Sequence, residues 1–330
     1  MNDERPLIIS AAIGMPLSTL LPLVRSIQMN ICSADVIFLR HPKDEPLPSE
    51  WGTEDVSFTS YTDIRMAVQS KISRTPAWRY VARLFGYAIG RMGRFSEIVL
   101  PMILHPMLGR YFYASKLLRE VNDRRFIALI DSRDVVFQSD PFDGLNRVAL
   151  LVAEEDTSVA ENGATRSWIT QLSRCLDTVL EDILPKPVIC AGVTLGTAAI
   201  MRKYLKAFTH SAMLGGGVIG ATAGFDQGLH NIILRRGSIP EVDILPVGNT
   251  LITHLCGNWA ELFDLDLNRG VIGKADHKTA SIVHFYDRKV QLVSYYSKRF
   301  AVMCQPHPAA DVIAKTERPI SVKACESERI

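Results

Sequence analysis

The sequence predicts an α/β protein with an open, mostly parallel central sheet and helices on both faces. Three observations point there. "PLIISAAIG" (6–14), "PLSTLLPLVRSIQMN" (16–30) and "ADVIFLR" (34–40) read as strand, helix and strand, the pattern of a βαβ unit. "RRFIALID" (124–131) is the strongest apolar strand in the chain, and it runs straight into acidic residues. Of 330 residues, 47% are hydrophobic and 22% charged, enough for a sizeable core in one large α/β unit or two small ones.

Taken in order, 6–14 is a short apolar run ending in Gly14, which suits a buried strand followed by a loop. Residues 16–30 carry apolar side chains at helical spacing. "HPKDEPLPSEWG" (41–52) is a proline-rich loop, and "VSFTSY" (56–61) is a third strand. Residues 76–122 read as mostly helical, interrupted at Gly93, Pro101 and Pro106. The strand 124–131 then brings Asp131 and Asp134 to its carboxyl end, where open α/β sheets bind ligands. "VALLVAEED" (148–156) reads as a strand and 166–182 as a helix. "PVICAGVTLGT" (187–197) reads as a strand kinked at glycine, leading into the helix "AAIMRKYLKAF". "FDQGLHNIILRRG" (225–237) is a helix capped by Asp226 and closed by Gly237, and "SIVHFYDR" (281–288) is a late strand. One unit is expected over 1–302, divided near residue 145, with a polar, proline-containing tail over 303–330.

A net charge of +2 excludes a general polyanion binder. The stretch 61–125 differs from the rest, with twelve lysines and arginines against four acids. Three uses stay open for it: binding an anionic ligand through Arg110, Tyr113 and Lys116, contact with an anionic membrane surface, or a solvated helix face. Nucleic acid is not expected, because no recognition module surrounds these charges. The six cysteines are scattered without a C-x-x-C pair, several within apolar runs, as in a reducing compartment. The acidic start "MNDERPLIIS" lacks the pattern of a secretory signal, and no apolar run is long enough for a spanning helix. A cytoplasmic location is expected, with peripheral membrane contact as the addition that 61–125 would supply.

Four constellations could carry chemistry. "DSRD" (131–134) offers two carboxylates at a strand end, which suits Mg²⁺ or Mn²⁺ between protein and diphosphate. It equally suits an Arg133–Asp134 pair that fixes a turn. Gly192 in "CAGVTLGT" would let a ligand approach the backbone, or it marks a bulge. Asp226 caps a helix or, with Gln227, belongs to a substrate loop. His284 is a packed core histidine unless the acids bind metal, in which case its imidazole could complete the site.

In this order, "IDSRDVVF", "CAGVTLGT", "FDQG" and "IVHFYDR" resemble nucleotide-sugar-dependent glycosyltransferases of the GT-A fold. The retaining family 8 pattern is the nearest likeness, together with bacterial glycosyltransferase-like proteins. The likeness spans roughly residues 6–290. It implies a nucleotide-sugar half (about 1–145) followed by an acceptor half (146–302). It also implies Mn²⁺ or Mg²⁺ held by Asp131, Asp134 and His284, and a nucleotide pocket formed by Ala11, Ala12, Ile13 and Gly14. Arg110, Lys116, Arg133 and Gly192 would lie along the donor, with Asp226 and Gln227 beside the transferred sugar. The donor implied is a UDP-sugar ahead of a GDP-sugar, and the acceptor a glycan or lipid-linked saccharide, as in polysaccharide biosynthesis.

One departure from that pattern matters. The acids are separated by two residues rather than one, so Asp131 could instead bind ribose or sugar hydroxyls, and Arg133 could face the diphosphate or Asp140. Retention is the expected stereochemistry, and inversion would need a base such as Glu154, Glu155 or Asp226. Two rivals remain: a metal-dependent phosphohydrolase or nucleotidyltransferase, and a non-catalytic sugar-nucleotide-binding protein.

Overall fold

Strands β1 (Leu7–Ala11), β2 (Ala34–Leu39) and β3 (Val56–Tyr61) pair in parallel, and β4 (Phe126–Asp131) joins the other edge of β1 in the same direction. The computed structural model describes residues 5–62, 83–84, 86–89, 92, 94–123, 125–145, 148–219 and 223–301. Between β1 and β2 runs α1 (Leu17–Asn30), whose Leu20, Leu23, Val24 and Ile27 form one buried stripe at helical spacing. This is the expected βαβ unit.

Beyond β4 the sheet departs from expectation. It is mixed: β8 (Val193–Thr197) pairs antiparallel with β4, and β6 (Leu150–Ser158) antiparallel with β8. Further along β6 lies β7 (Pro187–Ile189), antiparallel, and on its other edge β9 (Val242–Leu245), parallel. The run 187–197 is kinked as expected: β7 and β8 both run antiparallel to β6, with Ile189 opposite Glu154 and Leu195 opposite Leu151, and Cys190–Gly192 makes the crossing from one to the other. Apolar patterning reports that a run is a strand and says nothing about its direction.

Alternate residues of the central strands feed two cores. Leu7, Ile9, Ile127 and Leu129 pack against one layer of helices: α2 (Arg94–Ile103), α3 (Pro106–Leu117), α4 (Gly163–Leu176), α5 (Ala198–Leu214) and α6 (Phe225–Arg235). Ile8, Val36, Ala128 and Ile130 face α1 on the other side. That second face also meets a small sheet, β10 (Ile252–His254), β13 (Ile282–His284) and β5 (Val135–Phe137), in that order, while β11 (Phe263–Asp266) and β12 (Gly270–Gly273) pair separately. A third cluster joins Val136 and Val283 to Tyr296 and Phe300 of α7 (Val290–Ala301). The late strand expected over 281–288 therefore ends at His284, and Phe285 turns away in the left-handed region at φ 67°.

Two of the basic residues of 61–125 are spent inside the fold. Arg125 is buried and paired with Asp35, and Arg110 is buried at the carboxyl end of the sheet. Residues 63–82 and 302–330, with the basic residues between 65 and 79 and the tail, lie outside the described residues. No helix among the described residues is long and apolar enough to cross a membrane.

Candidate functional site

At the end of β4 the chain turns through Ser132 and Arg133 before entering β5. The Ser132 hydroxyl donates to the Ala11 carbonyl at 2.7 Å and meets Ser10 Oγ at 2.7 Å, which pins the turn to β1. Its effect is to return Asp134 to the side of Asp131. Because β13 runs antiparallel to β5 with His284 opposite Val135, His284 arrives beside both acids. Its Nε2 lies 3.5 Å from Asp134 Oδ1 and 3.8 Å from Asp131 Oδ2. One ligand atom from each of the three residues falls within a 4.8 Å cluster. The two-residue gap between the acids is a turn that lets both carboxylates reach one point.

These groups open on a cavity of about 520 Å³ at the carboxyl ends of β1 and β4. A divalent ion fits the three residues on the chemistry of the set. Two carboxylates and a buried imidazole nitrogen that has no hydrogen-bond partner suit Mn²⁺ or Mg²⁺. Burial pushes the Asp134 carboxyl up, but the His284 imidazole, Arg133 and Arg288 outweigh it and hold the group below its ordinary value.

Behind the acids sits Arg110, 2% exposed, brought in by α3. It donates to Asp131 Oδ1, to Asp226 Oδ2 at 3.3 Å, and to the Ala191 carbonyl at 3.3 Å. Burial dominates the Asp226 carboxyl and pushes it up to about 6, against the opposing charge of Arg110. Arg110 therefore ties two acids together from below. Its guanidinium is engaged by protein and does not reach freely toward a diphosphate.

His284 is held on every side. Its Nδ1 lies 3.0 Å from His254 Nδ1 and 3.5 Å from Cys190 Sγ. Phe285 stacks on it with ring centroids 3.6 Å apart, and the Arg288 guanidinium covers Phe285 at 3.5 Å. Gly192 backs the ring so closely that a Cβ there would stand 2.2 Å from His284 Cε1. The close approach that glycine permits is thus to a neighbouring side chain. On the other wall, Gly224 at φ 88° opens α6 and leaves room for Trp168, which a Cβ would meet at 2.0 Å.

Most of the expected residues come together. Ala11, Ile13, Arg110, Asp131, Arg133, Asp134, Gly192, Asp226, Gln227 and His284 all line the cavity. Three do not. Ala12 is fully buried in the core shared with α1, and the Gly14 amide donates to Asp44 Oδ2 at 3.0 Å. Lys116 lies over the Tyr61 ring, 5.9 Å from its centroid. Arg133 is 61% exposed and pairs with Asp287 at 3.2 Å, while Asp140 accepts from the Cys32 and Phe142 amides. Asp226 is not the helix cap: Gly224 holds that place, and the acid turns inward to Arg110. Gln227 accepts from the Ala191 amide at 3.1 Å and donates to Glu155 at 2.9 Å, so its side chain fixes the 190–192 crossing.

Sequence reasoning missed Met15, His105, Met107, Trp168, Cys190, Phe285 and Arg288, which also line the cavity. Nothing in their local patterns distinguishes them. Only "VHFYDR", with aromatic and basic residues following His284, carried a signal that could have been read. No protein-family model matches the chain, and no curated protein matches it with significance.

Proposed function

We propose that this protein is a metal-dependent glycosyltransferase. It moves a sugar from a nucleotide-sugar donor, a UDP-sugar ahead of a GDP-sugar, to a hydroxyl of a glycan or lipid-linked acceptor. The observation that carries this reading is the convergence of Asp131, Asp134 and His284 at the carboxyl end of a parallel strand, inside a cavity of about 520 Å³. Pockets of about 300–1,000 Å³ take ligands of this size class, and strand ends in open α/β sheets are where they bind.

Asp131, Asp134 and His284 would hold Mn²⁺ or Mg²⁺, which when bound neutralises the charge that develops on a departing diphosphate. Arg288 and Arg133 stand along the same wall and supply positive charge toward the diphosphate oxygens. Trp168, Met15 and Ile13 give the cavity apolar surface that excludes water from the transferred sugar. Asp226 faces that sugar, with a carboxyl that takes up a proton at about pH 6. Of the three acids that could serve as an inverting base, Glu154 pairs with Arg235 and Glu155 binds Gln227, and neither lines the cavity. Asp226 is tied to Arg110. This distribution favours retention, in which the departing phosphate rather than a protein carboxylate relieves the acceptor hydroxyl of its proton.

Tyr87, Met92, Phe95 and Ile98 are more than half exposed and lie within the basic stretch 61–125. Apolar side chains among cations suit an anionic membrane surface, where a lipid-linked acceptor would be found.

Thermal unfolding in the presence of UDP-, GDP-, CMP- and dTDP-sugars, with and without Mn²⁺, tests the donor reading. A ligand that binds only the folded state raises the melting temperature. The expected result is a rise with one nucleotide that requires metal and disappears in Asp134→Ala, with sugar transferred to acceptor under the same conditions. Nucleotide release without a sugar product would replace a transferase with a hydrolase, and no rise with any nucleotide would remove the donor site altogether.

A further inference from the structure

We propose that Cys190, His254 and His284 form a second, buried metal site for a soft divalent ion such as Zn²⁺, on the opposite side of the His284 ring from the carboxylates. The topology brings them together. His254 and His284 end the paired parallel strands β10 and β13 in register with one another, and Cys190 begins the crossing from β7 to β8. All three are buried, at 1%, 7% and 1% exposure, and their ligand atoms lie within 4.8 Å of one another.

Spacing and donor chemistry both fit. Tetrahedral zinc, with Zn–N of about 2.0–2.1 Å and Zn–S of about 2.3 Å, separates two nitrogens by about 3.3 Å and a nitrogen from a sulfur by about 3.6 Å. The Nδ1 atoms of His254 and His284 stand 3.0 Å apart, and Cys190 Sγ stands 3.5 Å from His284 Nδ1. Glu155, 4% exposed, interacts with the Cys190 thiol and supplies an oxygen donor for the fourth position. A thiolate and two imidazoles select zinc over magnesium or manganese. Cys190 and His284 also line the cavity, which gives an ion a path in from solvent.

Binding there changes His284. A hydrogen bond between two Nδ1 atoms needs one to donate and the other to accept. When a metal takes both Nδ1 lone pairs, each ring carries its proton on Nε2, and the one proton released is that of the Cys190 thiol. His254 then carries its proton on Nε2, and His284 presents Nε2–H toward Asp134 and Asp131. An Nε2 that bears a proton cannot ligate an ion held by the carboxylates. The two sites therefore exclude one another. This exclusion, unlike the zinc site itself, rests on the carboxylate set binding Mn²⁺ or Mg²⁺.

Co²⁺ titrated into the metal-free full-length protein is the probe, read by absorption. One equivalent is expected to give a thiolate-to-cobalt charge-transfer band in the near ultraviolet, which Zn²⁺ removes by displacement. Cys190→Ser is expected to lose the band and Asp134→Asn to keep it, with circular dichroism confirming that both variants fold. X-ray absorption of the zinc-loaded unsubstituted protein should show one sulfur among its ligands, independent of any variant. A missing band, a band that survives Cys190→Ser, or a zinc shell without sulfur would overturn the site. Electron paramagnetic resonance of Mn²⁺ reads the exclusion separately: zinc loading should weaken Mn²⁺ binding by about tenfold or more. Simultaneous binding of both ions would overturn the exclusion and leave the zinc site standing, and failure of Mn²⁺ to bind the zinc-free protein would overturn the carboxylate reading alone.

Discussion

Replacing Gly192 by alanine tests whether His284 is held where the carboxylates need it. The new Cβ would stand 2.2 Å from His284 Cε1, 2.6 Å from Nε2 and 2.9 Å from Nδ1. Carbon atoms in contact settle about 3.5–4.0 Å apart, so the ring or the turn must yield by more than about 1 Å. Neither yields easily. Phe285 is stacked on the ring at 3.6 Å and His254 lies 3.0 Å from Nδ1. The turn is pinned where the Asp131 amide donates to the Gly192 carbonyl at 2.8 Å and the Cys190 amide to that of Ala153 at 3.1 Å. Overpacking of this kind costs about 1–3 kcal/mol. It also turns Nε2 away from Asp134, and loss of ligand orientation weakens metal binding about 10–100-fold. Mn²⁺ titration followed by electron paramagnetic resonance, beside a urea unfolding curve, measures both effects. An alanine variant with unchanged Mn²⁺ affinity and stability within about 0.5 kcal/mol of the unsubstituted protein would refute the packing argument.

Three further outcomes are expected. Asp226 has a folded-state value of about 6 against an ordinary 3.8, so the native state keeps a proton that the unfolded chain has lost between those values. Stability should therefore fall by up to about 3 kcal/mol as pH rises through that window and level off above it. Asp226→Asn should flatten this slope in urea midpoints measured against pH, and an unchanged slope would assign it to another group. Arg110→Met leaves Asp226 buried without its cation and should destabilise the fold by about 3–5 kcal/mol in the same assay, whereas a loss under about 1 kcal/mol would show that the acids relax without it. Sedimentation with anionic lipid vesicles should carry the protein down at low salt and release it at high salt, and equal binding to neutral vesicles would remove the electrostatic part of the membrane proposal.

The parallel half of the fold was legible because its signals are local. Apolar runs at 6–14, 34–40 and 124–131 became β1, β2 and β4, and the helical period at 16–30 became α1. The carboxyl-end rule then assigns Asp131 and Asp134 to the ligand-binding end of the sheet, where the cavity lies. Direction was not legible. The run 187–197 reads as a strand kinked at glycine, but nothing in it announces that it runs antiparallel to both β4 and β6, because strand direction is settled by partners far away in sequence. Arg110 reads from the sequence as one of three cations or aromatics that could face an anionic ligand, since nothing in its helix reveals that Asp131 and Asp226 will meet it from 21 and 116 positions away.

By itself the sequence determined the strand that ends in acids, the small residues at 190–192 and the late histidine, because backbone preference and hydrophobic period act over a few residues. The tertiary structure alone decided what each polar side chain does. Gly192 makes room for an imidazole, Gln227 braces a crossing, and His254 with Cys190 stands behind His284. Those roles depend on contacts made after the chain has packed, where a buried charge or ring nitrogen must find a partner from another part of the chain or remain unsatisfied.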